Sequence, residues 1–231
     1  MAADKDAGTP RVFLARHGQT EWTINGRWTG STADLPLTQF GESQISSSAQ
    51  QLVGPGKLID PEDLALVFVS PMQRARKTYE LMFEPATRES LRAKVDFTKD
   101  LVEWGHGDYE GLSTTEIKQL REQRSLNAKD FDVFKHGCEG GESPEQVTER
   151  VDKLIMKIRE LHAPNMHGEN EACNVLLIAH GHILQAFTRR WLGYSMGFPL
   201  SAMLEPGGIA ILSYQHHNIK EPAFLLGMAL P

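Results

Sequence analysis

Cysteine is scarce: Cys138 and Cys173 are the only two in 231 residues. Two thiols cannot build the disulfide framework of a small secreted scaffold, so free thiols in a reducing compartment are expected, with a single bridge left open. Long apolar runs are missing as well. Nothing approaches the roughly 18 consecutive apolar residues of a membrane-spanning helix, so no membrane association is expected. Residues 1–10 lack the apolar centre of a signal peptide. Basic clusters are also missing. Lys plus Arg is 24 against 30 Asp plus Glu, a formal charge of −6. That balance argues against a phosphate-backbone binder, so nucleic acid is not an expected partner. A small anionic ligand needs only two or three well-placed cations and stays admissible. There is no internal repeat, low-complexity tract or linker. With 40% hydrophobic and 23% charged residues, the chain has an ordinary globular balance. The expectation is a soluble, cytoplasmic protein with one domain over residues 1–231. Association with copies of itself is left open.

Short apolar, β-rich runs alternate with helical patterns. Residues 11–15, 64–69, 175–179, 209–214 and 223–228 read as strands, and 94–97 as a weaker one. The unbroken apolar runs LALVFV at 64–69 and VLLIA at 175–179 suit strands buried on both faces. Helices are expected over 38–53, 72–83, 114–124, 143–161 and 183–192. Thr38 caps the first, and Gly54-Pro55-Gly56 stops it. The 143–161 helix opens with Ser143 as cap, Pro144 at the first helical position and Gln146 closing a capping box. Residues 101–111 crowd turn formers and aromatics into a loop. Trp22 and the Met and Phe positions in helices are assigned to the core. This alternation implies an α/β fold: a three-layer α/β/α sandwich on a mostly parallel, doubly wound sheet with helices on both faces. Residues 112–165 are expected to form a helical insertion over the active-site edge. In such sheets ligands sit beyond the carboxyl ends of the strands, which directs attention to the residues just after Ala15, Val69 and Ala179.

After the first of these comes Arg16-His17-Gly18-Gln19-Thr20, after the second Ser70-Pro71-Met72-Gln73-Arg74, and after the third His180-Gly181-His182. Two histidines and two arginines thus meet on one sheet edge, a set that suits a phosphoryl group. Arg16 and Arg74 carry permanent charge and can fork onto phosphate oxygens. His17 is a competent nucleophile because imidazole is largely uncharged at neutral pH. Gly18 would let the backbone come close to the ligand, and His180 would add a donor. A phosphate ester also needs its leaving alkoxide protonated. The 101–111 loop offers Glu103, Asp108 and Glu110. Glu103 follows an expected strand end and adjoins Trp104, where partial desolvation could raise its pKa. All three could instead be loop carboxylates bonded to backbone. No carboxylate cluster for magnesium accompanies them, and His180-x-His182 lacks the further ligands zinc needs, so no metal and no cofactor are expected. Trp28 and Thr29 could contact phosphate or sugar, His182 could line the mouth, and His216-His217 reads as packing or rim hydrogen bonding.

These residues resemble a known family. Arg16-His17-Gly18 with Thr29-Gly30, Asp34, Leu37-Thr38 and Gly41, then Ser70-Pro71 with Arg74-Ala75 and Thr78, then Glu103 with Gly107, Glu110 and Gly111, then His180-Gly181, are similar in order and spacing to the blocks of the histidine phosphatase superfamily, the phosphoglycerate mutase-like proteins. The resemblance runs from Arg11 to about Ile219. It implies that His17 accepts the phosphoryl group, that Arg16, Arg74 and His180 complete the phosphate pocket, and that Glu103 protonates the leaving oxygen and then activates water. It also implies substrate contacts at Thr23, Trp28, Thr29, Gly30, His106, Gly181 and His182, with Thr23 standing where mutases have an asparagine. Arg16 to Trp22, Glu103-Trp104 with 107–111, and 212–219 look more specifically like the fungal sedoheptulose-1,7-bisphosphatase branch. Two departures lie beside the substrate: the region 191–208 is much shorter here, and His106 replaces a tyrosine. Mutases of the family place a lysine and an arginine pair where this chain has Thr114 and Asp130-Phe131. The expected function is therefore a cofactor-independent phosphomonoesterase acting on a small phosphorylated metabolite, a sugar phosphate or bisphosphate, through a phosphohistidine. The alternatives are mutase-type transfer, a phosphatase of another metabolite, or an inactive binding module.

Overall fold

The computed structural model describes residues 8–31, 33–168 and 172–227. The elements run β1 (Val12–Arg16), α1 (Glu21–Ile24), α2 (Gln39–Leu52), β2 (Leu64–Val69), α3 (Gln73–Met82), α4 (Pro85–Leu91), β3 (Val95–Phe97), α5 (Thr114–Gln123), α6 (Val133–His136), α7 (Pro144–His162), β4 (Asn174–Ala179), α8 (Gly181–Trp191), β5 (Ile209–Tyr214) and β6 (Pro222–Phe224). The strands form one sheet in the order β3-β2-β4-β1-β5-β6. The first four are mutually parallel; β5 runs antiparallel to β1, and β6 antiparallel to β5. Register places Ala15 opposite Ile178 and Val69 opposite Ile178. The carboxyl ends of β1, β2 and β4 therefore finish side by side.

Strand side chains alternate between faces, and the alternation divides the core. Val12, Leu14, Leu177 and Ala179 pack with residues of α5 to α8, including Ile117, Phe134, Leu154 and Phe187. Phe13, Ala15, Leu176 and Ile178 pack with Ile45 and Ala49 of α2, Tyr79 and Met82 of α3, and Leu91 of α4. The molecule is the expected three-layer α/β/α sandwich. Most of the expected caps are in place. Thr38 accepts from Gly41 N–H, and Ser143 and Gln146 close a capping box.

Several expectations differ in detail. Helices α1, α4 and α6 are only four to seven residues long, too short for a periodic signal. The last strand is Pro222–Phe224; one more backbone bond, Leu225 N–H to Ile211 O at 3.0 Å, follows it, and residues 226–227 lie past the strand, while residue 228 lies outside the described residues. Phe40 and Met156 are exposed rather than core, and Trp22 is only partly buried. Cys138 and Cys173 are not bridged.

Candidate active site

His17 follows β1, and its backbone N–H donates to Ala179 O at 3.0 Å, tying the β1 and β4 ends together. The imidazole is buried. Its Nδ1 lies 2.7 Å from Gly18 O. A carbonyl can only accept, so Nδ1 carries the hydrogen and the ring lone pair sits on Nε2. Burial first, then Arg74 and Arg16, holds the ring's pKa well below the usual histidine value, with the Gly18 bond opposing. The ring is thus neutral, with a free nucleophilic nitrogen, at physiological pH. Gly18 has a packing role: a Cβ there would stand 2.8 Å from Gly41 O, so the space is filled by α2 rather than reserved for a ligand.

Arg74 is fully buried at the second position of α3. Its Nε donates to His180 Nδ1 at 3.0 Å, its Nη1 to Ala33 O at 3.1 Å and its Nη2 to Gly30 O at 3.1 Å. An arginine only donates, so His180 accepts on Nδ1, and its single hydrogen, on Nε2, is directed to Ser70 Oγ at 2.7 Å. In this geometry His180 holds Arg74 in place, and its own hydrogen is engaged by Ser70 rather than free for an anion. A Cβ at Gly30 would fall 2.0 Å from Glu110 Oε1, so only glycine lets this turn reach Arg74. Arg16 donates Nη1 to Leu204 O at 2.7 Å, and its buried Nε has no partner among the described residues. Burial lowers the pKa of both guanidinium groups, and the nearby Glu103 carboxylate opposes that effect.

Glu103 does not stand at a strand end. It lies six residues past β3, beyond a single turn at Lys99–Leu101. Its Oε1 accepts the N–H groups of Trp104 (2.8 Å) and Ile183 (2.9 Å), and its Oε2 accepts that of His182 (3.1 Å). Two of those donors are orphan amides of the first turn of α8, whose N-cap His180 makes no side-chain cap. Glu103 caps that helix and is carried to His17 by it. Behind it, Arg150 grips Glu142 through two 2.8 Å bonds and donates to the carbonyls of Asp100 and Val102. Glu142 in turn accepts Gly105 N–H at 2.7 Å. The loop bearing Glu103 is therefore clamped on both sides. Asp108 pairs with Arg124 and Glu110 accepts Ser31 N–H, so both are engaged away from His17.

Above these groups opens a cavity of ≈ 590 Å³ that His17, Arg16 and Glu103 line together. Thr23, Trp28, Thr29, His106, Gly181 and His182 also line it, while Gly30 stays behind as the support of Arg74. The Thr23 hydroxyl is engaged, donating to Thr20 O at 2.7 Å within the α1 capping box. His106 Nε2 and His182 Nδ1 share a 2.8 Å hydrogen bond, and Trp28 packs 4.9 and 4.8 Å from their ring centres. Burial holds both histidines below the usual pKa, so the pair is neutral at pH 7. Away from the cavity, His216 pairs with Glu221 and His217 reaches Met166 O, contacts of the β5–β6 turn and not of the site's rim. Among the described residues no group of three or more His, Cys, Asp or Glu could hold a metal ion. No described helix is long and apolar enough to cross a membrane.

Sequence reasoning did not nominate Gln19, Arg27, Gln44, Gln185, Glu205 or Pro206, all of which line the cavity. Glu205 and Pro206 arrive because Gly207 N–H bonds back to the carbonyls of Arg16 and His17, and no local pattern announces that contact.

Comparison with known proteins agrees with the geometry. The profile described as histidine phosphatase superfamily (branch 1) matches residues 12–223. The sedoheptulose 1,7-bisphosphatase of Saccharomyces cerevisiae is 35% identical, with 94% of this chain and 92% of that protein covered. An acid phosphatase of Mycobacterium tuberculosis is 32% identical over 89% of this chain and 87% of its own. A solved structure of an M. tuberculosis open reading frame product superposes with a TM-score of 0.71 at 28% identity, covering 94% and 96% of the two chains.

Proposed function

The chain belongs to the histidine phosphatase superfamily, branch 1, and from that membership we propose that it hydrolyses a small sugar phosphate through a phosphohistidine formed on His17. It is a phosphoric monoester hydrolase by the company of its phosphatase relatives. The observation that carries the mechanism is the neutral His17 ring, its hydrogen spent on Gly18 and its Nε2 lone pair left over, beside two guanidinium groups and one carboxyl group. In the first step Nε2 forms a bond to phosphorus as the bond from phosphorus to the ester oxygen breaks. Arg16 at the cavity surface and Arg74 buried beneath it offset the charge on the three non-bridging oxygens of the transferred phosphoryl group. Glu103 gives its proton to the leaving oxygen. Oε1 already accepts two N–H bonds and Oε2 only one, so Oε2 is the oxygen with room for that proton. In the second step Glu103, now a carboxylate, takes a proton from water. The water oxygen bonds to phosphorus, the phosphorus–nitrogen bond breaks, and inorganic phosphate leaves. Proton and electron pairs return to their starting places.

The nucleophile and acid argue for turnover rather than mere binding, since a binding module needs neither. The segment 112–165 belongs to the same domain in this reading and closes over the site edge: Phe131 stacks on Trp28 and Phe134 packs edge-on to His182. Transfer of mutase type is less well supported, because Thr114 is spent accepting the Trp28 indole N–H and Phe131 packs against Tyr109. The test is phosphate release from a panel of sugar phosphates, triose phosphates and phosphoglycerates, with chelator present throughout. The reading expects release from at least one sugar phosphate at an undiminished rate in chelator. A phosphoglycerate interconverted without net phosphate release would contradict it.

A further inference from the structure

Glu103 hangs on an irregular loop, and a loop holds a side chain only as firmly as its own backbone is bonded. Past the turn at Lys99–Leu101, residues 102–105 belong to no strand or helix. Much of their backbone is bonded instead by two residues of the 112–165 segment. Arg150, in the second turn of α7, spends its whole guanidinium group there. Its Nε and Nη2 donate to Glu142 Oε1 and Oε2 at 2.8 Å each, and its Nη1 donates to Asp100 O at 2.8 Å and Val102 O at 2.9 Å. Its Nη2 also reaches Glu103 O at a long 3.5 Å. A guanidinium group has five N–H groups, and each of them has an acceptor. Glu142 carries the grip along the loop. Its Oε2 accepts Gly105 N–H at 2.7 Å, its N–H donates to Gly105 O at 2.8 Å, and its carbonyl accepts the Trp104 indole N–H at 3.0 Å.

Neither Arg150 nor Glu142 lines the cavity, and their charges face each other, so the pair offers a phosphate nothing directly. What it fixes is the main chain on both sides of Glu103. The carboxyl group itself is held by the first amides of α8. Resting on the reading of Glu103 as the acid of a phosphomonoesterase, we infer that Arg150 and Glu142 are positioning residues for its proton transfer: they set where the carboxyl group meets the leaving oxygen and contribute little to holding the phosphate. Such a role has a measurable consequence, because a misplacement of about 1 Å costs a step of this kind roughly 10²-fold. The requirement is for the fork, not the charge. Lysine keeps the charge but carries its donors on a single nitrogen. Glutamine at 142 turns an NH₂ toward an Arg150 N–H whichever way the amide faces, donor against donor.

The experiment follows single-turnover phosphorylation of His17 in the unmodified protein, in Arg150→Lys and in Glu142→Gln. The two substrates are the best-hydrolysed sugar phosphate of the panel and p-nitrophenyl phosphate. Both side chains lie at the edge of the core, 13% and 25% exposed, and label per chain from the aryl ester counts the folded sites. The sugar-ester rate should fall by about tenfold or more in either variant, and the aryl-ester rate by less than about threefold. The inhibition constant of inorganic phosphate should stay within about twofold, since the phosphate contacts come from other residues. In Glu103→Gln, which has no proton to give, adding Arg150→Lys should leave the sugar-ester rate within about twofold. Equal loss with both esters, a matching loss of phosphate affinity, full additivity with Glu103→Gln, or no loss at all overturns the inference. If one variant does not fold, the other carries the same comparison; failure of both assigns the pair to stability and overturns it too. If the unmodified protein labels His17 with neither ester, the phosphomonoesterase reading is what fails, and the inference falls with it.

Discussion

In the proposed mechanism Glu103 is the residue that separates catalysis from phosphate binding. Its carboxyl group caps α8 and lines the cavity with His17, so it is positioned to protonate a leaving oxygen. An alkoxide leaves poorly, and protonating it in the transition state is worth about 10²–10⁴ in rate. Glu103→Gln should lower single-turnover phosphorylation by a sugar phosphate by that order. With an aryl phosphate, whose phenolate leaves unaided, the same step should fall far less. Equal loss with both esters would show that Glu103 is not the acid. At this scale the residues after β1, β2 and β4 are readable in the chain because they are short, contiguous and chemically coherent: Arg16-His17, Arg74 and His180. Their division of labour is not. That His180 receives the Arg74 Nε–H and gives its own hydrogen to Ser70 is decided by side chains 106 and 110 positions away.

The elements that build the site share one device: helices that leave their first amides for others to satisfy. Helix α3 has no side-chain cap from Met72, and Asp34 accepts Gln73 N–H at 2.7 Å. Helix α8 has none from His180, and Glu103 takes two of its amides. An acceptor at a helix N-terminus is favoured by both the free N–H groups and the helix dipole. Strand identity and order of appearance can be read from apolar runs, and α2 and α7 from their caps. The short helices α1, α4 and α6 cannot, since four to seven residues hold too little periodicity. The cavity lining is only half readable for a related reason. Trp28 and His182 stand out by residue type, whereas Gln44 and Gln185 are ordinary helix residues until α2 and α8 are placed beside β1.

The molecule as a whole carries a buried histidine unrelated to the site. His162 ends α7, is fully inaccessible, and its Nδ1 meets the Tyr214 hydroxyl at 3.0 Å. Burial pulls its pKa down from the ordinary 6.5 to about 4. A depressed histidine is neutral when folded but charged when unfolded, so protons favour the unfolded chain. The stability His162 protects is complete above pH 6.5, falls as pH drops toward 4, and is gone below it. The loss amounts to about 3 kcal/mol. Urea midpoints at pH 7 and pH 4.5 should show a decline to which the depressed His17, His106, His180 and His182 also contribute, and His162→Leu should make it smaller while lowering stability at pH 7 by leaving Tyr214 unpartnered. A decline of equal size in His162→Leu would assign it elsewhere.

The central claim is that His17 Nε2 becomes covalently phosphorylated, because its ring is neutral, its other nitrogen is engaged by Gly18 and the charges of Arg74 and Arg16 act on it. Phosphate-labelled sugar ester mixed with excess enzyme and quenched without acid tests it directly. The account predicts a labelled protein whose label is lost in acid and kept in base, located at His17 and missing from His17→Ala together with most of the turnover. A His17→Ala protein that hydrolyses the ester at near the original rate, or a label that survives acid, would contradict it.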